Sequence, residues 1–143
     1  MVKLKENKGF TLAELLIVVA IIGVLVAISI PIFTAQLRKG RLATNQANAR
    51  SAYADVVAQI ILDGITDDTA YSYDIATATA EEYSTGNSPT LGIADKPIAN
   101  WDVDSDSEGT KLGDKVAKKW KVHVANEGNQ IGVSGFTPIF ETS

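Results

Sequence analysis

Residues 10–33 read FTLAELLIVVAIIGVLVAISIPIF, and Glu14 is the single charged residue in that run. As a helix rising about 1.5 Å per residue, the stretch from Phe10 to Pro31 spans roughly 33 Å, enough to cross a hydrocarbon core of about 30 Å. Apolar side chains cover every face, which argues against a helix seated in a soluble core. A secretory signal peptide has a shorter apolar region, about 7–15 residues, and Glu14 is out of place in one, although Ala27-Ile28-Ser29 could pass as a small-residue cleavage site. A plain single-pass anchor accounts for the apolar run. It accounts for neither Glu14 nor the Gly9-Phe10 junction before it.

Glu14 is the residue that demands an explanation. A carboxylate at mid-membrane costs about 2–3 kcal/mol, less near the surface, and therefore takes a partner. A cut between Gly9 and Phe10 would create an α-amino group on Phe10, one helical turn from Glu14. Opposite charges attract strongly in an apolar medium. The same carboxylate can instead reach the amino terminus of a neighbouring copy, which would set the axial stagger of packed helices.

The run Lys8-Gly9-Phe10-Thr11-Leu12-Ala13-Glu14-Leu15-Leu16, followed by an apolar helix with Gly23 and Pro31, resembles the class III signal sequence of type IV pilins and pseudopilins. The resemblance covers residues 8–55, with Ala13 standing where valine is commoner. It implies that a prepilin peptidase cuts after Gly9 and N-methylates Phe10, and that Glu14 pairs with the Phe10 amine of an adjacent subunit. It also implies a homo-oligomeric helical filament, built by a membrane assembly platform and a cytoplasmic ATPase. The nine-residue leader fits the short type IVa class.

Charge placement agrees with export. Lys3, Lys5 and Lys8 against Glu6 give residues 1–9 a net charge of +2, and of the chain's 13 basic and 17 acidic residues the remainder keeps 10 and 16. A short basic head favours an N-in, C-out orientation, although Arg38, Lys39 and Arg41 follow the run. An acidic exported part argues against nucleic-acid binding, which needs clustered Lys and Arg. The chain has no cysteine and one histidine, so disulfides, thiolate metal sites and a cysteine nucleophile are excluded. No GxSxG, HExxH, phosphate loop or triad occurs, and the expectation is that the protein is not an enzyme.

Gly23 permits close helix approach in a membrane. Pro31 removes a backbone donor and loosens the turn before it. By the resemblance, the stretch from Gly23 to Pro31 can lose helicity during filament assembly. Beyond Phe33 the pattern becomes amphipathic, with Tyr53, Val56, Val57, Ile60 and Ile61 forming the expected apolar stripe and Gly64 the stop. The basic residues between Arg38 and Arg50 can meet lipid headgroups or acidic neighbours, or simply form a solvated face.

Residues 65–114 read as an irregular connection punctuated by Pro89 and Pro97, with a short helix over Ala70 to Tyr83. Residues 115–127, KVAKKWKVHVANE, alternate: Trp120, Val122 and Val124 face inward, and Lys119, Lys121 and His123 outward. Glu127-Gly128-Asn129 predicts a tight turn into a strand over Gln130–Gly135, with Ile131 and Val133 inward. Phe136 to Phe140 is a third, edge strand, limited by Pro138. Asp102, Asp104, Asp106 and Glu108 alternate like a calcium loop but lack the glycine and distant glutamate of an EF-hand, so a solvated acidic loop without a cofactor is the simpler expectation. Asn87-Ser88-Pro89 fails as a glycosylation site.

The expected fold is α+β, with one long N-terminal helix packed on a small antiparallel sheet. The segments are a cleaved leader over 1–9, a membrane and filament-core helix over 10–33, an amphipathic continuation over 34–64 and a head over 65–143. The function expected is that of a structural pilin, serving adhesion, twitching motility, aggregation or DNA uptake. A pseudopilin of a type II secretion or competence system, a minor pilin and a simple anchored domain are the alternatives.

Overall fold

A helix starts where its first unpaired amides find acceptors, and here that point is Thr11. In the computed structural model of the protein, helix α1 runs from Leu12 to Asp63 without interruption at Pro31. The structure describes residue 2 and residues 8–83, 96–107, 109–128 and 130–140. The turn at Asn129, the carboxylate of Glu108, Pro89, the Asn87-Ser88-Pro89 run and most of the 1–9 leader lie outside the described residues. Two compact units contain the chain, one ending at Gln36 and the other beginning at Leu37.

In the first unit, α1 is apolar on all sides, and its residues are exposed. Its most apolar window has a mean hydropathy of 3.1 and is 0% buried, the length and composition of a membrane span.

In the second unit, α1 ends at Gly64, whose φ of +64° is the left-handed conformation that glycine adopts without strain. The Ile65 N–H then donates to the Ile60 carbonyl at 3.3 Å, the six-to-one bond of a Schellman cap. Ile60 and Ile65 both join the core, the apolar contact that accompanies such a cap.

Four strands, β1 (Thr69–Asp74), β2 (Thr79–Glu82), β5 (Lys119–Glu127) and β6 (Gln130–Ile139), make an antiparallel sheet in the order β2-β1-β5-β6. Between them lie a 3-10 turn at Ile98–Asn100 and a small ribbon of β3 (Asp106–Ser107) and β4 (Thr110–Lys111). Tyr71 and Tyr73 from β1, Trp120, Val122 and Val124 from β5, and Phe136 from β6 form one core with Ala49, Ala52, Val56 and Ile60 of α1. The inward alternation of Trp120, Val122 and Val124 is as the period-two pattern predicts.

Four expectations need correction. The buried face of α1 is Asn45, Ala49, Ala52, Val56 and Ile60, whereas Tyr53 is 46% and Ile61 75% exposed. At about 100° per residue, Ile61 points well away from the Ala49–Val56 line. The sheet side already supplies the bulky rings Trp120, Tyr71 and Trp101, so small helix side chains fill the space.

Residues 70–83 form the β1–β2 hairpin in place of a helix. Alternating Tyr71 and Tyr73 bury their rings, and β-favouring Thr and Tyr outweigh the alanines. Residues 130–139 are one edge strand, not two. Its bend comes from a bulge: His123 pairs with Gly135 and Val124 with Val133, leaving Ser134 over. Pro138 is tolerated there because β6 is at the sheet edge.

His123, expected on the surface, is 4% exposed. Its Nε2 lies 3.1 Å from Thr137 Oγ1, and burial followed by the charge of Lys121 lowers its pKa below the usual imidazole value.

Candidate functional site

The first turn of α1 carries the junction. Glu14 Oε2 accepts from the Thr11 backbone N–H at 2.9 Å, and Thr11 Oγ1 accepts from the Glu14 backbone N–H at 3.3 Å. This reciprocal pair is the capping box of a Thr-x-x-Glu sequence, with Thr11 as the N-cap. The first helical bond runs from the Leu15 N–H to the Thr11 carbonyl. Gly9 and Phe10 therefore precede the helix, and the Phe10 ring is 91% exposed. Thr11 is a residue that the apolar run does not point to, and the Thr-x-x-Glu spacing is the sequence signal that finds it.

Further along, Gly23 and Pro31 lie inside continuous helix. A Cβ added at Gly23 would meet nothing within 4 Å, so nothing in its own chain requires glycine there. Pro31 has no N–H, which leaves the Ala27 carbonyl without its helical donor. Nearby, the hydroxyls of Ser29 and Thr34 donate to the carbonyls of Leu25 and Ile30, a back-bonding pattern that bends helices slightly.

A second constellation opens the head unit. Arg38 Nε donates to Asp114 Oδ1 at 3.0 Å, and its Nη2 donates to Asp104 Oδ1 at 2.9 Å and to the Val103 carbonyl at 3.2 Å. Arg41 Nη1 donates to the Asp114 carbonyl at 2.8 Å. Lys111 Nζ sits 3.2 Å from the same Asp104 oxygen. The Arg38 guanidinium, and after it the Lys111 ammonium, hold the Asp104 carboxyl below the usual carboxylate range.

The guanidinium lies against Gly113, where an added Cβ would fall 2.8 Å from the Val103 carbonyl oxygen and 3.2 Å from Arg38 Nε. Thus Arg38 and Arg41 hold the loop of their own head, and of the basic cluster Lys39 and Arg50 remain on the exposed surface.

The acidic loop is organised by its own backbone. Asp102 Oδ1 accepts from the Asp104 N–H and the Ser105 hydroxyl, and Asp106 Oδ1 accepts from the Gly109 N–H. Among the described residues, no three His, Cys, Asp or Glu side chains converge as a metal-ligand group.

Beneath this loop, Asn45 is fully buried and uses its whole amide. Nδ2 donates to the Leu112 and Lys115 carbonyls, each at 2.9 Å, and Oδ1 accepts from the Ala117 N–H at 2.9 Å. Gln46 beside it donates to the Ile98 carbonyl at 3.0 Å. A polar helix residue followed by polar residues gave no sign of such a role.

Comparison with known proteins bears on the first constellation. Residues 4–30 match the prokaryotic N-terminal methylation motif. Over 55 residues the chain is 49% identical to the type IV narrow pilus major component PilA5 of Thermus thermophilus, covering 36% of this chain and 47% of that protein. Over 48 residues it is 47% identical to the type IV major pilin protein PilA of Myxococcus xanthus, covering 34% of this chain and 22% of that protein. The matched stretch is thus less than half the length of either relative. No solved structure matches the chain. The N-terminal third of this chain is thus similar to that of type IV pilins, with a methylation motif leading into a helix long and apolar enough to span a membrane.

Proposed function

We propose that this chain is a structural subunit, a major pilin, of a type IV pilus. In this reading the chain is held in the cytoplasmic membrane by α1, a prepilin peptidase removes residues 1–9, and the new Phe10 amine is methylated. Glu14 then pairs with the Phe10 amine of a neighbouring copy, and the apolar half of α1 exchanges lipid for other helices as the filament leaves the cell. An assembly platform and a cytoplasmic ATPase supply the work. Gly23 lets a neighbouring helix approach closely. Pro31, which takes the helical donor from the Ala27 carbonyl, gives the point at which the helix stretches.

The observation that carries this reading is a helix apolar on every face, with its most apolar window unburied among the described residues and one carboxylate at its head. Lipid alone explains the apolar faces. It does not explain an acid, which calls for a cation that cleavage at Gly9-Phe10 creates. Both matched relatives carry names of major pilus components, which favours a pilin over a pseudopilin of a secretion or competence system. Adhesion, twitching motility, aggregation and DNA uptake are the roles such a filament would serve.

Mass spectrometry of the native N-terminus, paired with electron microscopy of the cell surface, tests this. The expected protein begins at Phe10 with one added methyl and forms the bulk of a long surface filament. A native chain beginning at Met1 overturns it in favour of a simple anchor. A processed chain without filaments at native expression favours the pseudopilin.

A further inference from the structure

Glu14 does not stand free at the head of α1: its Oε2 is already engaged by the Thr11 backbone N–H at 2.9 Å. The reverse bond, from the Glu14 N–H to Thr11 Oγ1, ties the two residues from both ends. Each of the four atoms belongs to a residue on the C-terminal side of the Gly9-Phe10 bond. The Thr11 N–H is the amide of the Phe10-Thr11 peptide, so both bonds survive removal of residues 1–9.

A carboxylate has about four lone-pair directions, and a capping box uses one oxygen. Among the described residues, only Thr11 donates to this carboxylate, which leaves it lone pairs for a donor from another chain.

We propose that Thr11 is a positioning residue for Glu14, fixing its side chain so that the remaining carboxylate lone pairs are presented to the ammonium of a neighbouring copy. This rests on the filament reading given above. The physical reason is entropic: a glutamate on an exposed helix end samples many rotamers, and ordering such a side chain on association opposes binding. The box makes that ordering part of helix formation, before any neighbour arrives. It also anchors the negative charge over the first turn, where the helix dipole favours it. Threonine is suited to this because its hydroxyl accepts while its backbone N–H donates.

The experiment uses the full-length chain in its native host with Thr11→Val, Thr11→Ser and Glu14→Gln. Processing is followed by N-terminal mass spectrometry and assembly as filament yield per processed subunit. Hydrogen exchange at the Glu14 amide is read in micelles. Valine keeps the shape and the backbone donor but removes the acceptor, and serine restores it. Thr11→Val is expected to lower yield about fivefold, the effect of a lost N-cap, and to speed Glu14 amide exchange, with Thr11→Ser near the unaltered chain in both.

Normal assembly of Thr11→Val alongside failure of Glu14→Gln would overturn the positioning role and leave the filament reading standing. Equal losses in Thr11→Val and Thr11→Ser would also overturn it, because the hydroxyl would then be irrelevant. An unaltered chain that keeps Met1 and makes no filament removes the function reading and this inference together.

Discussion

The indole rings of Trp101 and Trp120 stack at a centroid distance of 5.5 Å with planes 13° apart, and Phe136 meets both edge-on. Trp101 comes from the connection before the small ribbon and Trp120 from the centre of the sheet. The stack therefore joins the irregular part of the head to its most regular part. Trp101 is further held by its Nε1–H, which donates to the Lys96 carbonyl at 3.1 Å. Trp120→Ala is expected to cost about 3–5 kcal/mol, as for a large ring removed from a core. Because Trp120 Nε1 is buried and has no partner among the described residues, Trp120→Phe should cost distinctly less. Denaturant unfolding of the full chain in micelles measures both, and equal costs would refute the argument.

The amide of Asn45 closes three hydrogen bonds in a site with no solvent exposure. Asn45→Ala leaves two carbonyls and one N–H unpaired, so a loss of about 3 kcal/mol is expected. Asn45→Asp should be worse, because it sets an acceptor against the carbonyls of Leu112 and Lys115 and buries a charge. Thermal unfolding of the two variants, compared with Asn48→Ala on the same helix, provides the check.

His123 is the chain's one histidine. Burial holds its folded-state pKa below the ordinary 6.5, so the unfolded chain binds a proton first as pH falls. Stability should therefore be flat above pH 6.5 and decline as pH falls through 6.5 towards the lower folded value. A second, separate loss should begin below pH 3.8. There Asp74, held down by Lys119, and Asp104, held down by Arg38, would take up protons that the unfolded chain already binds. Melting temperature between pH 5 and 8 measures the first step, and His123→Leu should abolish its slope.

Gly113→Ala should disturb the loop that Arg38 grips, since the added methyl has no room between the Val103 carbonyl and the guanidinium. A destabilisation of about 1–3 kcal/mol is expected, as for other overpacked sites. Arg38→Ala should instead act locally, because its ion pairs with Asp104 and Asp114 are partly solvated. Hydrogen exchange should show faster exchange over residues 102–114, with the sheet unchanged.

Glu14→Ala is expected to insert in the membrane and be processed normally, yet to give no filaments. Replacing Gly9 by leucine should block processing itself, read as retained mass at the N-terminus. Filaments of normal abundance from Glu14→Ala would contradict the charge pairing.

Two features were readable because their cause is local. The apolar run of residues 10–33 needs no partner to be apolar, and the alternation at Trp120, Val122 and Val124 follows from the pleat of any strand. Over residues 70–83 alanine and tyrosine carry opposing preferences, and pairing with β5 decides for strand over the expected helix. The capping box is legible in the sequence itself as Thr11-x-x-Glu14, because its two partners lie three residues apart.

By itself, the sequence determined that this chain has a membrane-length helix headed by a lone acid, with a half-buried strand near its end. Those properties are set by residues within a few positions of one another. Only the tertiary structure decided that the helix buries Asn45, Ala49 and Ala52 in preference to Tyr53 and Ile61, and that His123 is covered. Which side of an element is buried depends on the volume and hydrogen-bonding groups brought to it by residues 67 to 72 positions away, and no local period encodes them.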